Sequence, residues 1–206
     1  MATHERLLVW SVDATAGFDA CWASIDGTRL SAEGRAVGQQ PGAYWVSYRL
    51  ETGDDFVHRL LVAESRWDGG AATLELRREG GPDAGVGAWT ANGEPRPDLA
   101  AALDCDLMGC PLTNTMPVLR HGFHRAPGDR TFLMAFVQVP DLRVVANEQR
   151  YTHLGALPGG ALVRYRSNSF QSDLTIDDDG FVVDYPQLGR RVAAPAPAGR
   201  RDPTAT

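Results

Sequence analysis

The chain has 206 residues, 26 acidic against 20 basic, a net charge of -6 at neutral pH and a hydrophobic share of 43%. That is enough chain to bury a core without disulfide or metal staples, and its charges are too mixed in sign for a disordered polymer. Neutralising phosphates takes a basic stripe, and Arg77-Arg78, Arg190-Arg191 and Arg200-Arg201 are isolated pairs, so a nucleic-acid binder is excluded.

Every cation is arginine and lysine is absent, which fits a high-GC coding sequence better than selection for bidentate contacts. The opening residues, MATHERLLVWSVD, mix charge with a short apolar stretch and match neither an export signal nor a membrane span, which takes about 20 apolar residues. Cys21, Cys105 and Cys110 leave an odd thiol and no disulfide framework. A cytoplasmic protein is expected.

In chain order, the apolar pattern alternates with period two and is punctuated by glycine, proline and aspartate. LLVWSV, ACWASID and TRLSAEGRAVG open the series of predicted strands. In GAYWVSYRLE, Tyr44, Val46, Tyr48 and Leu50 share one face and Trp45, Ser47 and Arg49 the other, a strand with one wet side. HRLLVAESRW and ATLELRREGG follow, with Leu74 and Leu76 opposing Thr73, Glu75 and Arg77.

PDLAAALDCDL, with proline in a first turn and good helix formers after it, predicts the one helix of length, starting near Pro97. A second, shorter turn is expected over Thr115 to Arg120. FLMAFVQVP is apolar on both faces, which predicts a central strand. LRVVANEQRYTHL, ALVRYRS, FQSDLTID and FVVDYP complete the strands, and Asp179-Gly180 predicts a type I′ hairpin between the last two. The expected organisation is a single domain over 1-192 and a disordered, proline- and alanine-rich tail over 193-206. So many strands must curl into a roll, barrel or sandwich to hide their edges.

Several polar residues bear on chemistry. CPLTNTMPVL sets Thr113 and Asn114 in an apolar context, where they either face a ligand or cap a helix start. Asp104, Asp106, Asp177, Asp178, Asp179 and Asp184 supply carboxylates that do acid-base work only if two converge; otherwise they cap turns or pair with Arg120 or Arg191. Cys105, Cys110, His121 and His124 approach zinc spacing, but the histidine pair is tighter than structural sites use, and no metal or other cofactor is expected. His4, His58 and His153 read as strand or surface residues. Serine-hydrolase, zincin and P-loop motifs are absent, and Gly85-Val86-Gly87 lacks the third small residue of a dinucleotide loop. Trp10, Trp22, Trp45, Trp67 and Trp89 are each expected to fill core.

Three stretches, GEPRPDLAAALDCDLMGCPLTNTMPVLR, PDLRVVANEQRYTHL and FQSDLTIDDDGFVVDYPQLGRRV, with Gly87-Ala88-Trp89 ahead of the first, resemble a bacterial family named Putative glycolipid-binding. The resemblance runs from about Leu8 to Val192. It implies a mainly β fold, a strongly curved antiparallel sheet forming a spiral β-roll with one or two short helices. It also implies a non-catalytic protein that holds a glycolipid or other amphiphile in its apolar interior, around Val46, Phe132 and Phe136. The expected ligand-binding residues are Asn114, Arg120, Gln149, Tyr151 and Tyr185. His121 stands where the family commonly has a second arginine, which implies a pH-dependent charge beside Arg120. The rival readings are an enzyme using Asp106 and Asp184 as acid and base, and a ligand-free scaffold in which these motifs merely close the roll.

Overall fold

The computed structural model describes residues 4–80 and 87–193. Gly85 and Val86, and the tail beyond Ala193, lie outside the described residues. Six long strands come first, each the antiparallel neighbour of the next: β1 His4–Val12, β2 Gly17–Asp26, β3 Arg29–Gly38, β4 Tyr44–Thr52, β5 His58–Trp67 and β6 Gly70–Glu79. The short β7 Ala88–Ala91 and β8 Glu94–Pro95 finish that edge, and a two-residue strand ending in proline offers little backbone for another chain to pair with. The second half contains β9 Asp104–Leu107, β10 Asp129–Val137, β11 Val144–Leu157, β12 Gly160–Ser167, β13 Phe170–Asp177, β14 Val182–Tyr185 and β15 Gly189–Arg191. All fifteen form one sheet, ordered β8 back to β1, then β15 back to β9, strongly curved but not closed.

The alternation read from the sequence sets which face is inside. On β4, Tyr44, Val46, Tyr48 and Leu50 are buried, and on β6 Leu74 and Leu76 are, as expected. Two apolar clusters result. The larger gathers the inner faces of β1 to β6, with Trp10, Val46, Leu50 and Leu61 without measurable exposure. The smaller lies under β10 to β14, around Phe123, Tyr151, Tyr165, Leu174 and Ile176.

β10 stands between these two cores. Ala135 and Val137 pack into the larger cluster, while Met134 and the partly buried Phe132 pack into the smaller. Its two apolar faces therefore have two separate interiors to cover them, and not the central place in the sheet that the sequence predicts: β10 is second from the end. Its outer neighbour β9 pairs with it in parallel, Asp106 opposite Phe136, the one parallel ladder in a sheet whose other ladders are antiparallel.

The long helix expected from Pro97 is absent. A single 3-10 turn, Pro97–Leu99, is followed by irregular chain and then β9. The carbonyls a helix would use internally go to tertiary partners: Ala102 O accepts from Arg78 Nε at 3.0 Å and Trp89 Nε1 at 3.1 Å, and Leu103 O accepts from the His58 amide at 2.9 Å. The helix that does form, α1 Thr115–His121, is the short one expected there, preceded by a 3-10 turn at Pro111–Asn114 and ended by Gly122 in the left-handed region.

The last hairpin exists, but its turn is not type I′, which needs positive φ at two successive residues. Only Gly180 has it, and Asp177 Oδ1 takes the amides of Asp179 and Phe181 instead, so the aspartate side chain shapes a longer loop.

The halves of the sheet meet at a narrow seam, Trp10 opposite Arg191 and Ser11 opposite Arg190. Gly189 is required here, since a Cβ on it would sit 2.2 Å from the Ser11 carbonyl oxygen. Side chains reinforce so short a ladder: Trp10 Nε1 donates to Val182 O at 2.9 Å, Arg191 pairs with Asp177 at 2.7 Å, and Arg6 reaches Asp179 and lies over the Phe181 ring. Trp10→Phe removes a buried donor and part of the ring at this seam, and is expected to cost about 2–4 kcal/mol in urea unfolding; a loss below about 0.5 kcal/mol would show that the seam holds without it.

Candidate functional site

Three of the five residues expected to bind ligand meet in one network inside the second half of the roll. Tyr151 donates from Oη to Asn114 Oδ1 at 2.8 Å and lies 3.3 Å from Gln149 Oε1. Gln149 Nε2 donates to Asp106 Oδ2 at 2.6 Å, and Thr113 Oγ1 donates to Asp106 Oδ1 at 2.8 Å. Burial pushes the Asp106 carboxyl above its usual range, against these two hydrogen bonds. Asn114 completes its own bonding with a long contact, 3.4 Å, to the Pro111 carbonyl. Tyr185 is buried close by, its ring edge-on to Tyr165 at 5.8 Å. Asn114, Gln149, Tyr151 and Tyr185 are all closed off from solvent, and Asn114, Gln149 and Tyr151 spend their polar atoms on one another and on Asp106.

Arg120 is placed elsewhere. Its guanidinium forks onto the buried Asp104 of β9, and donates to the carbonyls of Asp55 at 2.9 Å and Phe56 at 3.0 Å, tying α1 to the 3-10 turn at Asp54–Phe56. With both side chains of the pair removed from water, the bridge is a structural clamp. His121 stacks on Phe132 at 4.9 Å, and burial, helped by Arg120 and Arg130, lowers its pKa to about 4. It is neutral near pH 7, so the expected pH-dependent charge beside Arg120 does not operate there.

The acid-base pair is not brought together. Asp106 belongs to the buried network, whereas Asp184 lies on the opposite face of β14 from Tyr185 and pairs with Arg190 at 2.9 Å. Nor do the zinc-spaced residues converge: Cys105 joins the larger core, Cys110 lies 3.4 Å from the Tyr48 hydroxyl, and His121 faces Phe132; among the described residues no metal-ligand group is formed.

Of the residues expected to surround an acyl chain, Val46 is locked in the larger core and Phe132 and Phe136 are partly buried in protein packing. Open space lies on the other side of the sheet. On the outer faces of β2 to β4, Phe18 stands opposite Val37, and Val37 opposite Trp45. This row borders an open hollow of about 520 Å³ that also touches Tyr44, Arg66 and Trp67. Two rows further along the same strands, Leu7 stands opposite Trp22 and Trp22 opposite Glu33, bordering a groove of about 1070 Å³. Phe18 is 54% exposed, Leu7 54%, Trp22 52% and Val37 45%, a concentration of solvated apolar surface on three neighbouring strands.

This face was not among the expectations from sequence. Trp10 and Trp89 are core, as expected; Trp45 and Trp67 are only half-buried, and Trp22 is a surface residue. A phase signal was available for Trp45, which shares its beat with Ser47, Arg49 and Glu51; for Trp22, whose beat holds Phe18, Ala20 and Ser24, alternation gave none.

A model for the family described as Putative glycolipid-binding matches residues 7–191. The chain belongs to that family. The crystal structure of a DUF1089 family protein from Pseudomonas aeruginosa is similar to it, with a TM-score of 0.66 and 24% identity over 93% of each chain, which establishes the shared fold. No curated protein matches the chain. Among the described residues no helix is long and apolar enough to cross a membrane.

A further buried carboxyl lies in the family fold, on the inner face of β2. Asp19 is fully buried; it accepts from Tyr48 Oη at 3.0 Å, and its Oδ2 has no partner among the described residues. Burial pushes its pKa from 3.8 up to about 7. Below pH 4 both folded and unfolded chains hold this proton. Between about 4 and 7 only the folded chain does, so stability falls as pH rises, and the loss is complete above 7, amounting to at most about 4 kcal/mol. Denaturant unfolding from pH 4 to 8 is expected to show that fall in the wild type and a flatter profile in Asp19→Asn.

Arg120→Ala, which leaves Asp104 buried and uncompensated, is expected to lose about 3–5 kcal/mol in urea unfolding, with much of it recovered in the double variant Arg120→Met with Asp104→Leu. An Arg120→Ala variant as stable as wild type would rule out the clamp.

Proposed function

We propose that this protein binds an amphiphile of the glycolipid kind without transforming it, and that the apolar part of the ligand lies on the outer face of the sheet, against Phe18, Val37 and Trp45. The observation that carries this reading is the row of half-exposed apolar side chains beside an open hollow of about 520 Å³. Burying a large apolar side chain completely is worth about 1.5–3 kcal/mol, and each ligand methylene about 0.8 kcal/mol. Three half-exposed side chains and a medium alkyl chain therefore supply several kcal/mol, enough to bind and still release. Family membership supports the ligand class.

On this reading the Asn114, Gln149 and Tyr151 network and the Arg120 clamp hold the roll's shape, and substituting them changes stability more than binding. The enzymatic alternative draws no support from Asp106 and Asp184, each engaged by its own partner.

The test is native mass spectrometry and lipid extraction of the full chain, followed by calorimetric titration with dodecyl maltoside below its micelle concentration. Binding is expected, weakened about tenfold in a Phe18→Ser, Trp45→Ala variant that still unfolds cooperatively. Protein that carries no lipid and shows no heat with the probe would overturn the reading.

A further inference from the structure

The hollow beside Phe18 does not stand alone. Along β2, β3 and β4 side chains two residues apart share a face, about 7 Å between successive rows. The apolar row, Phe18 with Val37 and Trp45, is followed by Ala20, Arg35 and Ser47, then by Trp22, Glu33 and Arg49. Ala20 and Ser47 are small, so the middle row is low at both ends and the groove of about 1070 Å³ opens over it, with Trp22 along its side. The two spaces thus lie end to end on one face, the smaller bordered mainly by aromatic and aliphatic groups with Gln39, Arg66 and Asp68 among them, the larger by charged and hydroxyl groups interleaved with apolar ones such as Leu7, Trp22 and Val62.

The groove's chemistry is specific. Its charges are Glu5, Glu33, Glu51 and Glu64 against Arg35 and Arg49; Arg49 is engaged by Glu51 at 3.6 Å and Glu64 by the neighbouring Arg66 at 4.0 Å, which leaves Glu5 and Glu33 against Arg35. Ser24, Ser31 and Ser47 add hydroxyls that both donate and accept. Carboxylates take charge-assisted hydrogen bonds from hydroxyl groups, and guanidinium groups return them, while Trp22 offers a flat apolar face more than half open to water. A ligand carrying many hydroxyls and one apolar ring face satisfies all three kinds of group. An anionic ligand does not, because it would meet an excess of carboxylates at close range.

We infer that this groove holds the sugar part of the ligand, stacked on Trp22, and that the sugar is uncharged. The inference rests on the amphiphile reading above and assigns its headgroup: a neutral glycoside, as opposed to a uronate, a sulfated sugar or a phospholipid.

Three probes with the same tail separate headgroup from tail: dodecyl maltoside, dodecyl glucuronide and dodecylphosphocholine, each titrated into the full chain below its micelle concentration. The maltoside is expected to bind about tenfold more tightly than the glucuronide. Trp22→Ala is expected to weaken the maltoside about tenfold while leaving dodecylphosphocholine within about twofold, and Trp22→Phe to restore most of the loss. Trp22 is half in water, so unchanged thermal unfolding in both variants checks that the fold is intact. Equal binding of maltoside and glucuronide, or a Trp22→Ala variant that weakens all three probes alike or none, overturns the headgroup assignment and leaves the amphiphile reading standing. Failure of all three probes to bind the wild type overturns both.

Discussion

The parallel pairing of β9 with β10 governs the interior of this protein. A curved sheet of fifteen strands encloses a large space, and a roll lined only by its inner face would be hollow. The unbroken apolar run of β10 from Phe132 to Val137 divides that space in two, Ala135 and Val137 filling one side and Met134 and Phe132 the other. Parallel pairing is what allows it: the chain between β9 and β10 must cross over the sheet, and that crossover is the segment holding α1 and the Asp106 network.

Much of the polar chemistry in the sequence is spent on that crossover. Asp104 and Asp106 leave the same face of β9 into two different structural tasks, one neutralised by Arg120 and the other hydrogen-bonded by Thr113 and Gln149. A buried carboxylate without such partners would be costly, and the partners must be brought from α1, the turn before it and β11. The resemblance to a ligand-binding loop is a consequence of this. Polar residues in apolar surroundings look alike in sequence whether they satisfy one another or wait for a ligand.

The open hollow and the groove lie on the outer face, where the alternation of β-strands normally places small or charged residues. Phe18, Trp22 and Val37 break that rule on β2 and β3, and keeping them in water has no benefit to folding. Under the proposed function, this exposed row would meet the apolar part of the ligand and the neighbouring groove its headgroup.

The sequence by itself determined the strands, their inward faces and the shortness of α1, because each depends on local terms: period-two burial, turn residues, and Pro117 in the first turn of α1 with Gly122 just after its last. It also carried the family through motifs around Asp106, Asn114 and Asp184-Tyr185-Pro186. It misjudged the segment after Pro97, whose helix propensity lost to hydrogen bonds from Arg78, Trp89 and the His58 amide, groups that sequence distance hides. Only the tertiary structure decided that β10 separates two cores, that Asn114, Gln149 and Tyr151 close on one another, and that Trp22 faces water beside a groove. Each of these depends on which distant residue arrives opposite, and pairing across a sheet is set by the whole chain's curvature and register, which local periodicity does not encode.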